Sequence, residues 1–251
     1  MIKINLNSER LTFKYQLTSI TYAVIKSLEW FFTISLQGSQ NDRQTAVVSA
    51  IKHSWKGYKN FAWGHDELKP ISETFFDSFG LGLTIVDAID TLYITGMMEE
   101  YQEAKEWIEK SMITDPNFNV SLFETTIRVV GGLMSIYHLT GEKVFLTKAT
   151  EVTYYMQSCF HSLSGIPLPI INLETSKTYG GHSGDIISTA EAATLQLEFR
   201  AVARASETPI FEARTDWINQ KIHTLHKENG LAPILLNCKL KILMFETISS
   251  R

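Results

Sequence analysis

Two stretches of this chain place a carboxylate three residues after a serine, at the opening of an apolar-periodic segment. In Ser121-Leu122-Phe123-Glu124-Thr125-Thr126-Ile127-Arg128, Ser121 is a good N-cap and Glu124 stands where a capping box wants an acid. Ser188-Thr189-Ala190-Glu191 repeats the pattern. The plain reading is structural: Glu124 caps its helix and Arg128 pairs with it one turn later, for a few tenths of a kcal/mol. The functional reading depends on where the two helix mouths lie. Brought to the same end of a helical assembly, the two carboxylates would converge on a single cavity.

The elements that must position them are helices. Apolar residues at Leu122, Ile127, Val130, Leu133, Met134 and Tyr137 follow a helical stripe, as do Ala46, Val47, Ile51, Trp55, Tyr58 and Phe61 before the break at Ala62-Trp63-Gly64. Thr74 to Gly96 reads as a strongly apolar helix containing Asp87 and Asp90. Unpaired buried charge is costly, so hydrogen bonding to neighbouring loop backbone is expected for both acids. A theme then recurs: an apolar helix, a short turn, and an amphipathic helix opening with an aromatic. It runs through Tyr93–Gly96 into Tyr101, Tyr137–Gly141 into Phe145, and Arg204–Ser206 into Phe211. Glu124 lies 21 residues before Phe145 and Glu191 lies 20 before Phe211, so the two glutamates hold equivalent places in two hairpins. Strand-like alternation is nearly lacking. Successive helical hairpins predict an all-α chain, either a helical solenoid or a closed α/α toroid.

Composition sets the outer bounds. A chain of 251 residues with 44% hydrophobic and 20% charged residues can bury a substantial core. The net charge of −4 gives no basic bias, which argues against a nucleic-acid partner. Cys159 and Cys238 lack metal-ligand spacing, and no metal site is read from the residues themselves. His65, His138 and His182 are given structural or solvent-exposed roles. Leu17 to Leu36 has the length of a membrane span, but Lys26 and Glu29 lie within it, so an amphipathic helix is expected rather than an anchor. It also lacks the form of a secretory signal. His65-Asp66-Glu67-Leu68 spells a retention tetrapeptide that is read only at a free C-terminus, so it carries no address here.

Several motifs, in order, resemble the class I α-1,2-mannosidases, glycoside hydrolase family 47, and among them the endoplasmic reticulum mannosidase I branch. They are Asn41-Asp42-Arg43-Gln44, Trp55-Lys56-Gly57-Tyr58, Ala62-Trp63-Gly64-His65-Asp66-Glu67-Leu68, Gly80-Leu81-Gly82-Leu83-Thr84, Asp87-Ala88-Ile89-Asp90-Thr91-Leu92, Leu122 to Arg128, and Gln196-Leu197-Glu198-Phe199-Arg200. The resemblance covers about Asn41 to Asn237, leaving residues 1–40 as an N-terminal extension and 238–251 as a tail.

That resemblance implies an (α/α)7 barrel, of which this chain would form roughly the first half. It implies calcium-dependent, inverting removal of terminal α-1,2-linked mannose from high-mannose N-glycans on glycoproteins, in the endoplasmic reticulum or early secretory pathway. Glu124 would act in acid catalysis, with Arg128 beside it in the sugar site and Glu191 contacting substrate. An inverting hydrolase also needs a second carboxylate to activate water, about 6.5–9.5 Å from the acid. The family motifs carrying the remaining catalytic Asp and Glu, and the calcium-binding threonine, do not occur in this sequence. Pro169 stands where the endoplasmic reticulum branch has a substrate-contacting serine. The alternative expectation is therefore a catalytically inactive glycan-binding or helical interaction module. Half a toroid would also expose a large apolar face. Asn119-Val120-Ser121 is a formal glycosylation sequon beside the expected site, and is expected to stay unmodified.

Overall fold

The computed structural model describes residues 41–113, 117–181, 184–225, 227 and 229–239. The Leu17–Leu36 stretch, His182 and most of the tail lie outside the described residues.

Helix α1 (Asp42–Phe61) is capped by Asn41, whose side-chain oxygen accepts from the Gln44 N–H at 3.0 Å. Its apolar stripe is buried at Trp55 and Tyr58, whereas Val47 is 58% exposed. The apolar run from Thr74 to Gly96 is not one helix. Strand β2 (Thr74–Phe76) pairs antiparallel with β1 (Glu67–Lys69), and α2 (Leu83–Ile94) begins only after a glycine-containing turn. Gly82 caps α2 at φ 62°, and a Cβ there would fall 2.2 Å from the Trp107 ring. Left-handed backbone and a covering indole both require glycine at this point.

Asp66 closes that turn. It is fully buried, and its two carboxylate oxygens accept backbone N–H groups from Ser78, Phe79, Gly80, Leu81 and Leu83. Its own N–H donates to the Asp77 carboxylate at 2.8 Å, and Asp77 also holds His65 Nδ1 at 2.7 Å. The His65 ring stacks on Phe75, which gives this histidine a structural role. The buried acid that hydrogen-bonds loop backbone is thus Asp66, not Asp87 or Asp90. Asp90 instead accepts from the Ser135 hydroxyl at 2.6 Å, and Asp87 accepts from Arg128. The expectation for those two acids is corrected: α2 packs against another helix along its polar edge, so side chains rather than loop amides meet them.

Three helical hairpins follow the expected theme. Helix α2 turns into α3 (Met98–Lys110). A continuous helical run made of α4 (Leu122–Glu124), a π-helical segment (Thr125–Val130) and α5 (Gly131–Thr140) turns into α6 (Lys143–Tyr155). Beyond α7 (Thr189–Thr194), helix α8 (Gln196–Ala205) turns into α9 (Ile210–Thr224). The aromatic opening each second helix, Tyr101, Phe145 or Phe211, is buried in the shared core. Tyr101 and Phe145 meet at 6.4 Å between ring centroids, and Phe199 and Phe211 at 6.5 Å. Glu142 ties the first hairpin to the second, accepting from the Tyr101 hydroxyl at 2.7 Å and from Lys105. Gly132 sets the spacing between α5 and α2, because a Cβ there would lie 2.6 Å from the Val86 carbonyl oxygen.

Short strands seat the helix mouths. Strand β3 (Asn119–Ser121) pairs antiparallel with β4 (Ile170–Asn172), which pairs with β5 (Thr178–Tyr179). Strand β6 (Ile186–Ser188) pairs antiparallel with β7 (Leu235–Asn237). The last residues of β3 and β6 are Ser121 and Ser188, the N-caps of α4 and α7. Among the described residues, no helix is long and apolar enough to cross a membrane. Cys159 and Cys238 are buried free thiols, and burial pushes the Cys238 thiol up to about 12.

Candidate active site

Glu124 and Glu191 occupy matching positions, each at the third residue of a helix whose serine cap ends a three-residue strand. The Ser121 hydroxyl accepts from the Glu124 N–H at 3.3 Å. The Ser188 box is complete in both directions: Ser188 Oγ accepts from the Glu191 N–H at 3.1 Å, and Glu191 Oε2 accepts from the Ser188 N–H at 3.4 Å. At the first mouth the Leu122 N–H donates to the Pro169 carbonyl at 2.8 Å, so Pro169 borders the turn that carries Glu124.

The helix leaving Ser121 changes pitch directly after Glu124. The Leu122 carbonyl accepts both the Thr126 hydroxyl, at 2.7 Å, and the Thr125 N–H. A side-chain hydroxyl on a helix carbonyl competes with the backbone ladder. The ladder resumes with the wider π spacing through Val130, an arrangement that recurs at functional sites. Thr125 and Thr126 are fully buried, unusual for two consecutive polar residues.

Arg128 lies within this π segment and is brought to both acids. Its Nε donates to Asp87 Oδ2 of α2 at 2.9 Å, while its Nη1 is 3.9 Å from Glu124 Oε2. The expected one-turn pairing with Glu124 is therefore the looser contact, and Asp87 fixes the guanidinium. All three side chains stay open to solvent, between 37% and 43% exposed. Screened pairs of this kind contribute little to stability. Their value is positional: an anchored guanidinium beside an accessible carboxylate.

Glu198 of α8 reaches the same helical run from another side. Its Cγ lies 3.7 Å from the place a Gly131 Cβ would take, three residues beyond Arg128. Burial pushes its carboxyl above the ordinary range, and its Oε2 has no hydrogen-bond partner among the described residues. Glu191 is not joined to Glu124 or Arg128 by any hydrogen bond or ion pair among the described residues; its carboxylate is engaged with its own cap. Sequence reasoning did not single out Asp87 or Glu198 as site residues. The available signals were an acid set among Val86, Ile89 and Leu92, and another between Leu197 and Phe199. Asn119, in the sequon, is exposed in β3, and its Oδ1 accepts from Asn172 Nδ2 at 3.1 Å.

The residues described do not by themselves fit a calcium site. No group of three His, Cys, Asp or Glu side chains among them is placed to hold a metal ion. The fully buried carboxylate, Asp66, is already saturated by backbone amides.

An α-helical hairpin assembly with carboxylates at strand-seated helix mouths has the fold of a known glycosidase class. The α-1,2-mannosidase from Trichoderma reesei superposes with a TM-score of 0.71 over 83% of this chain and 47% of its own, at 23% identity. The sequence matches the model of glycosyl hydrolase family 47 over residues 50–248, and the chain belongs to that family. It is 41% identical over 198 residues to the endoplasmic reticulum mannosyl-oligosaccharide 1,2-alpha-mannosidase of Mus musculus, covering 78% of this chain and 30% of that protein. The Homo sapiens enzyme of the same name is also 41% identical over 198 residues, with 28% of its length covered. The chain thus spans about a third of the length of these relatives.

Proposed function

We propose that this chain carries the first part of the active site of a mannosyl-oligosaccharide 1,2-α-mannosidase, acting on high-mannose N-glycans in the endoplasmic reticulum or early secretory pathway. The observation that carries the reading is the group of Glu124, Arg128 and Asp87 at the start of the π-helical segment, inside the family match. Glu124 is the general acid, delivering a proton to the leaving glycosidic oxygen. Arg128, held by Asp87, binds and orients the sugar hydroxyls. Glu191 contacts a further sugar from the second mouth, and Pro169 replaces a polar contact with an apolar edge beside Glu124. The half-barrel arrangement, inversion of configuration and dependence on calcium come from the family resemblance. In this reading the base that activates water and the calcium ligands lie outside the described residues.

The decisive experiment measures mannose release from a Man9-type N-glycan. It compares the 251-residue chain alone with the same chain supplemented by the remaining catalytic segment of a family relative, with and without calcium. Calcium-dependent release that falls at least about 100-fold in Glu124→Gln supports the reading. Release that survives this substitution refutes the role of Glu124. A second reading is a glycan-binding or helical interaction module without hydrolysis, in which the Glu191 carboxylate stays engaged with its own cap. It expects the chain to bind oligomannose and leave it intact under every condition.

A further inference from the structure

A cavity of about 320 Å³ lies away from the mannosidase site, between the loop 161–165 and helix α9. Arg214, Trp217 and Lys221 fall at i, i+3 and i+7 on α9 and so share one helix face. The Lys221 ammonium stands 4.6 Å from the centroid of the Trp217 indole, which is 51% exposed and holds the cation over the opening. Opposite them, the Ser162 hydroxyl accepts the Gly165 N–H at 3.1 Å and lies 3.4 Å from Ser164 Oγ, a long contact in which Ser162 is the donor. The Ser164 hydroxyl is committed to the Cys238 carbonyl at 2.7 Å.

The charge here is unbalanced. Among the described residues, no carboxylate lines the cavity. The acids of α9, Glu212 and Asp216, are drawn instead to Arg204 and Arg200 of α8. Among the described residues, Arg214 meets only the His161 ring, at 3.1 Å from its Nη2, and its buried Nε has no hydrogen-bond partner. An arginine and a lysine on one concave face, with no counter-anion among the described residues, lack only the anion.

We propose that this cavity binds an oxyanion of the phosphate class, either inorganic phosphate or a phosphomonoester carried on a sugar. Arg214 and Lys221 supply the charge, Ser162 turns its proton from the long Ser164 contact to the anion, and Trp217 positions Lys221. The proposal is independent of mannosidase activity.

The test is calorimetric titration of the 251-residue chain, at constant ionic strength, with inorganic phosphate, a hexose phosphate and the parent hexose. Saturable binding of the anions but not of the hexose is expected. Lys221→Gln should weaken it about tenfold, the scale of one charge-assisted hydrogen bond, and Arg214→Gln by at least as much. Lys221 makes no ion pair with a described residue, so Lys221→Gln should melt like the parent and remain interpretable should Arg214→Gln fold poorly. Glu124→Gln should bind the anions unchanged. Hexose phosphate binding more tightly than phosphate identifies a sugar-borne phosphomonoester; equal affinities identify the free ion. Absence of saturable binding by both anions, or a Lys221→Gln protein that binds like the parent, overturns the proposal.

Discussion

Alanine at Gly132 and alanine at Gly131 should move stability in opposite directions, although the residues are adjacent in one helix. At Gly132 the new Cβ would meet the Val86 carbonyl oxygen at 2.6 Å and the Asp87 Cα at 3.6 Å, both backbone atoms of α2. Comfortable non-bonded separations are about 3.5–4 Å, so helices α5 and α2 would have to part by most of an ångström. Overpacking of this kind costs about 1–3 kcal/mol, against a gain of about 1 kcal/mol from replacing glycine within a helix. At Gly131 the nearest atoms are the Glu198 Cγ and the Thr126 oxygen, both at 3.7 Å, which is ordinary contact. Only the helical gain of about 0.5–1 kcal/mol remains there. The two variants should therefore differ by about 1–3 kcal/mol. For a chain of this size each kcal/mol moves the melting temperature by about 2–4 °C. Thermal melts followed by helical circular dichroism would resolve that gap. A Gly132→Ala protein melting at or above Gly131→Ala would refute the close-approach argument. Because Val86 precedes Asp87, the Gly132 variant should also bind oligomannose more weakly, through displacement of Arg128.

Four further outcomes follow from the same geometry. Asp66→Asn should destabilise by at least about 3 kcal/mol in chemical denaturation, since one carbonyl cannot satisfy five buried amides that two carboxylate oxygens now hold. Asp87→Asn should leave stability within about 0.5 kcal/mol, because the pair is solvent-exposed, yet reduce oligomannose binding or turnover by releasing Arg128. Burial alone would raise the Glu142 carboxyl, but the hydrogen bonds from Lys105 and Tyr101 and the Lys105 charge outweigh it and hold the group below its ordinary 4.5. Its contribution is thus fully present above that value and lost as pH falls through the lowered one, so the melting difference between parent and Glu142→Gln should shrink on acidification. Glu198 has the opposite sign: burial raises its carboxyl, its ionisation weighs against the fold as pH rises past 4.5, and Glu198→Gln should melt above the parent at pH 7.

What could be read from the sequence was what local periodicity carries. The three hairpins, with Tyr101, Phe145 and Phe211 opening their second helices, stand where the apolar spacing put them, because those aromatics must be buried whatever the wider topology. The matching positions of Glu124 and Glu191 were legible for the same reason, as a capping pattern spans only four residues. The split of the Thr74–Gly96 run was hidden, since Phe75, Phe76 and Phe79 extend the apolar pattern across a turn that Gly80 and Gly82 in fact make. Asp66 was hidden because its partners are backbone amides 12 to 17 residues on, which leave no side-chain signature. The Asp87–Arg128 contact joins residues 41 apart and exists only once α2 and the π-helical run are packed.

The π-helical segment sets a rule for insertions and deletions in this region. It takes up surplus chain between two anchored points: Ser121, fixed in the β3–β4 ladder, and Gly132, fixed against Val86. Deleting one residue between Thr125 and Val130 would let the backbone relax to an ordinary α-helix, a local gain in hydrogen-bond geometry. The wide turn holds one residue more than an α turn over nearly the same rotation, so both anchors would keep their facing. A homologue lacking that residue could keep both the strand that seats Glu124 and the close contact of α5 with α2, but the residues between them, Arg128 included, would take new facings. The wide turn acts as a register shim: a one-residue change of length is absorbed there and shows in the placement of Arg128 rather than in the two anchors.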